Sequence, residues 1–186
     1  MSKTYNIKLA VLGKTLVGKS ALTFRFISDK FPTEHDTTVE DEFKIMSTID
    51  DSLCEIDIID TAGQDDYQTL LDTWIVTSNC YLLVYAIDDL ESFQQIKIRY
   101  DRICQLKKDE KFSLVIVGNK CDLAESRRKV TKNEAENYGK NIGAMAIEAS
   151  ALTNVNVKEA FLQAIRDYLK IKKDEEKKFG IGCPCF

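Results

Sequence analysis

Short apolar runs alternate with amphipathic stretches along the chain. Residues 5–12 are apolar, rich in β-formers and stop at Gly13, and residues 19–27 follow with apolar side chains at helical spacing. Residues 41–49 and 53–59 alternate as paired strands do, with Asp50-Asp51 as the turn between them. Residues 80–87 and 114–117 are continuous apolar runs, the pattern of strands buried on both faces. Residues 90–106, 132–140 and 157–170 read as helices. In the last, Val157, Ala160, Phe161, Ala164, Ile165 and Tyr168 recur at i, i+3, i+4 and i+7. Thr131 with Glu134 carries the capping-box signature. Strands alternating with helices predict an α/β domain with a largely parallel sheet. From Lys170 the pattern gives way to a charged, then Gly-rich segment, which predicts one domain over residues 1–170 and a flexible tail over 171–186.

The composition narrows the class. With 186 residues the chain suits a single domain, and 44% hydrophobic with 30% charged residues is ordinary globular usage, which excludes disorder over the whole length. A net charge of −4 offers no overall basic face for nucleic-acid phosphates. Cys54, Cys80, Cys104 and Cys121 are scattered singly, unlike a dense disulfide scaffold, and read as free thiols of a cytosolic protein. Cys183-Pro184-Cys185 lacks the second Cys/His pair that a four-ligand metal site needs. No apolar run approaches the roughly 20 residues of a membrane span.

The chemistry begins at Gly13-Lys14-Thr15-Leu16-Val17-Gly18-Lys19-Ser20, which fits G-x-x-x-x-G-K-[ST] between a predicted strand and a predicted helix. Consecutive backbone N–H groups at a helix N-terminus form an anion nest. Lys19 would reach the β- and γ-phosphates and the Ser20 hydroxyl would ligate Mg²⁺. This loop implies a nucleoside triphosphate and leaves the base open.

Three further motifs fall at the ends of predicted strands. Asp60-Thr61-Ala62-Gly63-Gln64 follows an apolar strand, and its acid suits a Mg²⁺ carboxylate. Asn119-Lys120-Cys121-Asp122 follows residues 114–117. Asp122 could accept two hydrogen bonds from a guanine N–H and amino group, a donor pair that adenine lacks. Glu148-Ala149-Ser150-Ala151 closes a further strand and could offer backbone donors to a purine carbonyl.

Taken together and in this order, the motifs resemble those of Ras-superfamily small GTPases, most closely the Ras subfamily, across roughly residues 7–169. The resemblance implies a P-loop NTPase G domain: a mostly parallel six-stranded sheet with helices on both faces, binding GTP or GDP with Mg²⁺ and hydrolysing GTP slowly. It implies nucleotide contacts along Gly13, Lys14, Thr15, Leu16, Val17, Gly18, Lys19, Ser20 and Ala21. Phe31 is similar to the aromatic that packs on guanine. Asn119, Lys120 and Asp122 resemble the base-selecting residues, with Ser150, Ala151 and Leu152 beside them. Thr38 resembles the threonine that ligates Mg²⁺ with Ser20 and Asp60 and senses the γ-phosphate. Gly63 resembles the glycine whose N–H meets that phosphate, and Gln64 the glutamine that orients the attacking water. His35, Asp36, Thr37, Thr38, Val39, Glu40, Asp41, Glu42 and Phe43 resemble the effector loop. Effectors, an exchange factor and a GTPase-activating protein are the implied partners, with the chain itself a monomer.

Departures from the family pattern carry expectations of their own. Thr15 stands where a glycine is usual and Leu16 where a small residue is usual, which predicts slow hydrolysis and resistance to an activator's arginine. His35 replaces a tyrosine and reads either as an exposed loop histidine or as a contact over the phosphates. Leu152 replaces a lysine, which predicts faster nucleotide exchange. Cys183-Pro184-Cys185-Phe186 fits C-a-a-X, with geranylgeranyl favoured at Cys183 and atypical residues between. That tail predicts a lipid anchor at the cytoplasmic face of a membrane, the plasma membrane first.

Overall fold

The computed structural model describes residues 3–32, 40–61 and 68–178. A six-stranded sheet carries the fold: β1 (Thr4–Gly13), β2 (Glu40–Ile49), β3 (Ser52–Thr61), β4 (Cys80–Ala86), β5 (Ser113–Asn119) and β6 (Met145–Glu148). The helices are α1 (Lys19–Ser28), α2 (Gln68–Thr77), α3 (Leu90–Lys107), α4 (Lys132–Ile142) and α5 (Val157–Lys178). The strand order is β2-β3-β1-β4-β5-β6. Every pairing is parallel except β2 with β3. That pair is a hairpin closed by Asp50 and Asp51 at φ 46° and 61°. Two consecutive left-handed residues make the turn whose twist matches that of the strands, and aspartate tolerates the conformation.

The period of two along each strand divides the core into two layers. Leu9 and Val11 of β1, Leu82 and Val84 of β4 and Val115 and Val117 of β5 face α1 and α5. Ala10, Leu12, Tyr81, Leu83, Leu114 and Ile116 face α2, α3 and α4. Phe26 of α1 stacks on Phe161 of α5 with ring centroids 4.3 Å apart. On the other face Phe93 meets Tyr85 and Tyr138 edge-on at 4.9 and 5.9 Å, tying α3 to β4 and α4. All seven residues of β4 and of β5 are buried, as their unbroken apolar runs predict.

Two elements depart from the sequence reading. Helix α2 is not signalled by its pattern, because Leu70 and Val76 lie outward, 38% and 53% exposed, while Trp74 and Ile75 lie inward. Apolar residues therefore surround the helix and no stripe stands out. Helix α5 continues to Lys178, past the boundary placed at residue 170. Side-chain pairs sustain the extension. Lys172 bonds Glu175 at 3.2 Å and lies over the Tyr168 ring, Lys111 pairs with Glu175, and Glu176 pairs with Lys3 and accepts from Tyr5. The composition shift marks the helix leaving the core, and opposite charges at i,i+3 support it beyond.

Candidate functional site

The motifs converge at the C-terminal ends of β1, β3, β5 and β6. Strand β1 lies between β3 and β4, and in open α/β sheets ligands occupy the crevice beyond the strand ends at such a position. Gly13 closes β1 against β4 so tightly that a Cβ there would lie 2.2 Å from the Val84 carbonyl oxygen. Gly18 caps α1 at φ 91°, and a Cβ on it would lie 2.4 Å from Asn119 Nδ2. Helix α1 has no side-chain cap at its N-terminus and no acid in its first turn. Its dipole and leading N–H groups therefore favour an anion.

Lys19 is the first residue of that helix and is only 6% exposed. Its Nζ donates to the Lys14 carbonyl at 3.1 Å. Burial pulls its pKa down to about 8; Asp60 opposes the shift and Arg99 reinforces it. An ammonium in this position is poorly solvated and would gain from a phosphate. The Lys14 side chain turns away, to Glu91 at 2.6 Å and to Asp89 at 3.3 Å, and Asp89 is the N-cap of α3. Val17 is buried, whereas Thr15 and Leu16 are exposed, and Leu16 holds a left-handed φ of 66°.

Asp60 and Ser20 form the second part of the site. Asp60 is 2% exposed, and its Oδ1 has no hydrogen-bond partner among the described residues. Burial raises its pKa to about 6, against the opposing influence of a hydrogen bond from Ser20 and of Lys19. A buried carboxylate oxygen without a donor, beside a serine hydroxyl, is a hard-oxygen set that fits Mg²⁺. The following residue, Thr61, is turned away and donates to the Val11 carbonyl at 2.8 Å.

The third part links the phosphate loop to the loops after β5 and β6. Asn119 Nδ2 donates to the Val17 carbonyl, and its Oδ1 accepts from the Ala151 N–H at 3.2 Å. Asp122 is exposed and accepts from the Ser150 hydroxyl, which in turn accepts from the Thr153 N–H. Lys120 is half-buried with φ 67°. Ala21 and Phe31 are half-buried, and Leu152 is 57% exposed.

Asp41, Glu42 and Phe43 lie on β2, the edge of the sheet, with Asp41 opposite Asp60. Glu40 begins that strand. His35, Asp36, Thr37, Thr38, Val39, Gly63, Gln64 and Cys183 lie outside the described residues. One residue the sequence reading passed over also reaches the site. Arg25 of α1 donates from Nε to the Ala151 carbonyl and from Nη2 to the Leu152 carbonyl, both at 2.9 Å. No motif marks it; only its place on the same helix as Lys19 could have hinted at it.

An anion cradle, a buried lysine and a buried aspartate that feel each other's charge, and a neighbouring base loop define a P-loop nucleotide-binding site. The chain belongs to the Ras family of small GTPases, which it matches over residues 8–170. It is 39% identical to the Ras-like protein rasB of Dictyostelium discoideum, over 97% of this chain and 94% of that protein. It is 38% identical to the human Ras-related protein R-Ras, over 96% of this chain and 85% of that one. The Ras-like protein rasS of Dictyostelium discoideum is 37% identical over 92% of this chain and 88% of that protein.

Proposed function

We propose that this GTPase is a Mg²⁺-dependent switch with slow hydrolysis, tethered by a prenyl group on Cys183 to the cytoplasmic face of the plasma membrane. The observation that carries the reading is buried Lys19 beside Asp60, whose Oδ1 lacks a protein donor among the described residues. Lys19 and the N–H groups of residues 13–20 would hold the β- and γ-phosphates. Ser20, Thr38 and Asp60 would hold Mg²⁺, which when bound neutralises charge on the phosphate oxygens. Asp122 would accept from guanine, and Gln64 would orient water without acting as a base.

Thr38 and Gly63 would respond to the γ-phosphate and release when it leaves, so that effectors, an exchange factor and an activating protein read two states of residues 35–43. Thr15 adds a side chain where an activator's arginine must enter, which favours slow hydrolysis and weak activation. The test is single-turnover hydrolysis by purified protein, with its bound nucleotide identified by chromatography. GTP consumed on the order of 10⁻⁴ s⁻¹ supports the regulated switch. GTP bound but not consumed would favour a recruiting scaffold held in one state, a reading that exposed Thr15 and Leu16 at the phosphate loop motivate. Cys183→Ser with unchanged membrane fractionation would refute the anchor.

A further inference from the structure

We infer that Arg25 is a positioning residue that sets how long nucleotide stays bound, by clamping two walls of the base site to α1. This rests on the GTP-binding reading above. The guanidinium presents donors in a rigid plane, and here all its nitrogens are used. Nε and Nη2 hold the Ala151 and Leu152 carbonyls at 2.9 Å each, and Nη1 holds the Asp29 carbonyl at 3.0 Å. The same group lies 5.9 Å from the centroid of the Phe31 ring, a cation–π contact. Asp29 is the C-cap of α1, and its Oδ1 accepts from Asn154 Nδ2 at 2.7 Å, a second tie from the helix end to the same loop.

The consequence follows from position along α1. Its first turn carries Lys19 and Ser20, which would meet the phosphates, and its last turn holds the loop and the aromatic expected to enclose guanine. Fixing both carbonyls fixes the peptide planes that carry the Leu152 and Thr153 N–H groups, and the Thr153 N–H in turn holds the Ser150 hydroxyl that donates to Asp122. Leu152 stands where the family usually carries a lysine, and its side chain is exposed. Arg25 restrains this loop through its backbone, independently of the Leu152 side chain. Charge-assisted bonds to neutral carbonyls are among the stronger ones, and a half-buried guanidinium competes well with water for them.

The experiment is release of a fluorescent GDP from full-length protein with excess Mg²⁺, for wild type, Arg25→Ala and Arg25→Lys. Arg25→Ala should release GDP about tenfold faster or more, a loss of about 1.4 kcal/mol per factor of ten. Association and single-turnover hydrolysis of loaded GTP should stay near wild type, a separation that general destabilisation would not give. Arg25→Lys keeps a cation near Phe31 and cannot span three carbonyls, so it should fall between. It also serves if Arg25→Ala does not fold. Phe31→Leu combined with Arg25→Ala should be less than additive in release rate. Wild-type release rates in both Arg25 variants overturn the proposal. Failure of wild type to retain GDP at all overturns the nucleotide reading and this proposal with it.

Discussion

Asn119 Nδ2 donates to the Val17 carbonyl at 2.8 Å, joining side chain and backbone 102 residues apart in sequence. The same carboxamide accepts from Ala151, so one buried side chain holds the phosphate loop and the loop after β6 together. Asn119→Ala strands a buried carbonyl and a buried N–H. Each unsatisfied group costs about 1–3 kcal/mol, so thermal unfolding should show a loss of about 2–4 kcal/mol. GDP release should accelerate by about two powers of ten at that cost. Normal stability and normal release in the variant would mean that the two loops are held by something else.

Gly13 and Gly143 separate crowding from backbone conformation. At Gly13 an added Cβ meets the Val84 carbonyl oxygen at 2.2 Å, backbone against backbone in adjacent strands. Gly13→Ala must part β1 from β4, and urea denaturation should register a loss of about 3 kcal/mol. Gly143 ends α4 at φ 71°, and an added methyl there would meet nothing within 4 Å. Gly143→Ala should lose only about 1 kcal/mol, the cost of a left-handed alanine. Equal losses would show that the strand contact relaxes easily.

The nucleotide site was largely legible in the sequence because its chemistry is carried by backbone shape. Gly13, Gly18, Asp60 and Asn119 sit where only those residue types fit, so spacing alone points to them. Strands β4 and β5 were legible because burial on both faces needs unbroken apolar runs. The supports were not. Arg25 acts on carbonyls that every residue possesses, and the tie from Lys14 to Asp89 and Glu91 crosses more than seventy residues with no local signature. Helix α2 hid behind outward Leu70 and Val76, and the end of α5 hid behind a charge pattern that reads equally as a tail.

The Mg²⁺ site proposed at Asp60 makes chelation a test of that residue. Its buried Oδ1 has no donor among the described residues, and its charged form is disfavoured by burial. Chelation of the GDP-loaded protein should speed nucleotide release by about two powers of ten or more and lower the melting temperature together with it. Asp60→Asn, which leaves Ser20 in place, should show a clearly smaller chelator effect than wild type. A chelator effect of wild-type size in Asp60→Asn would show that Asp60 does not help hold the cation.

Leu16 is a source of stability held in reserve. It is 86% exposed and sits at φ 66°, a left-handed conformation that costs a branched side chain about 1–2 kcal/mol. Leu16→Gly removes that strain, offset by about 0.4–1 kcal/mol of added freedom in the unfolded chain. The net gain should be about 0.5–1 kcal/mol by urea denaturation, while Leu16→Ala, which keeps the Cβ, should gain nothing. A gain from alanine equal to that from glycine would attribute the effect to the exposed leucyl group and not to its backbone.

Alkaline stability should be governed by tyrosines of β4 and α4. Burial pushes the Tyr81 and Tyr85 hydroxyls far above the ordinary tyrosine range, and Tyr138 up to about 12. An unfolded tyrosine ionises near pH ~10, so above that pH the unfolded chain binds fewer protons than the folded one. Their contribution is therefore complete below pH ~10 and is lost as pH climbs toward the folded values, at about 1.4 kcal/mol per pH unit for each group. The two hydroxyls differ in surroundings. Tyr81 lies 2.6 Å from the Ile75 carbonyl and 2.8 Å from that of Ser78, whereas the Tyr85 hydroxyl has no hydrogen-bond partner among the described residues. Tyr85→Phe should raise stability at pH 7 by about 1 kcal/mol, since a desolvated and unpaired hydroxyl disappears. It should also flatten the alkaline slope by one group. Tyr81→Phe should flatten the slope equally but lose about 1 kcal/mol at neutral pH. Unfolding free energies measured from neutral to alkaline pH, with tyrosinate absorbance followed in parallel, give both readings. Tyrosinate appearing in the folded protein near pH ~10 at all positions would contradict the buried placement of these rings.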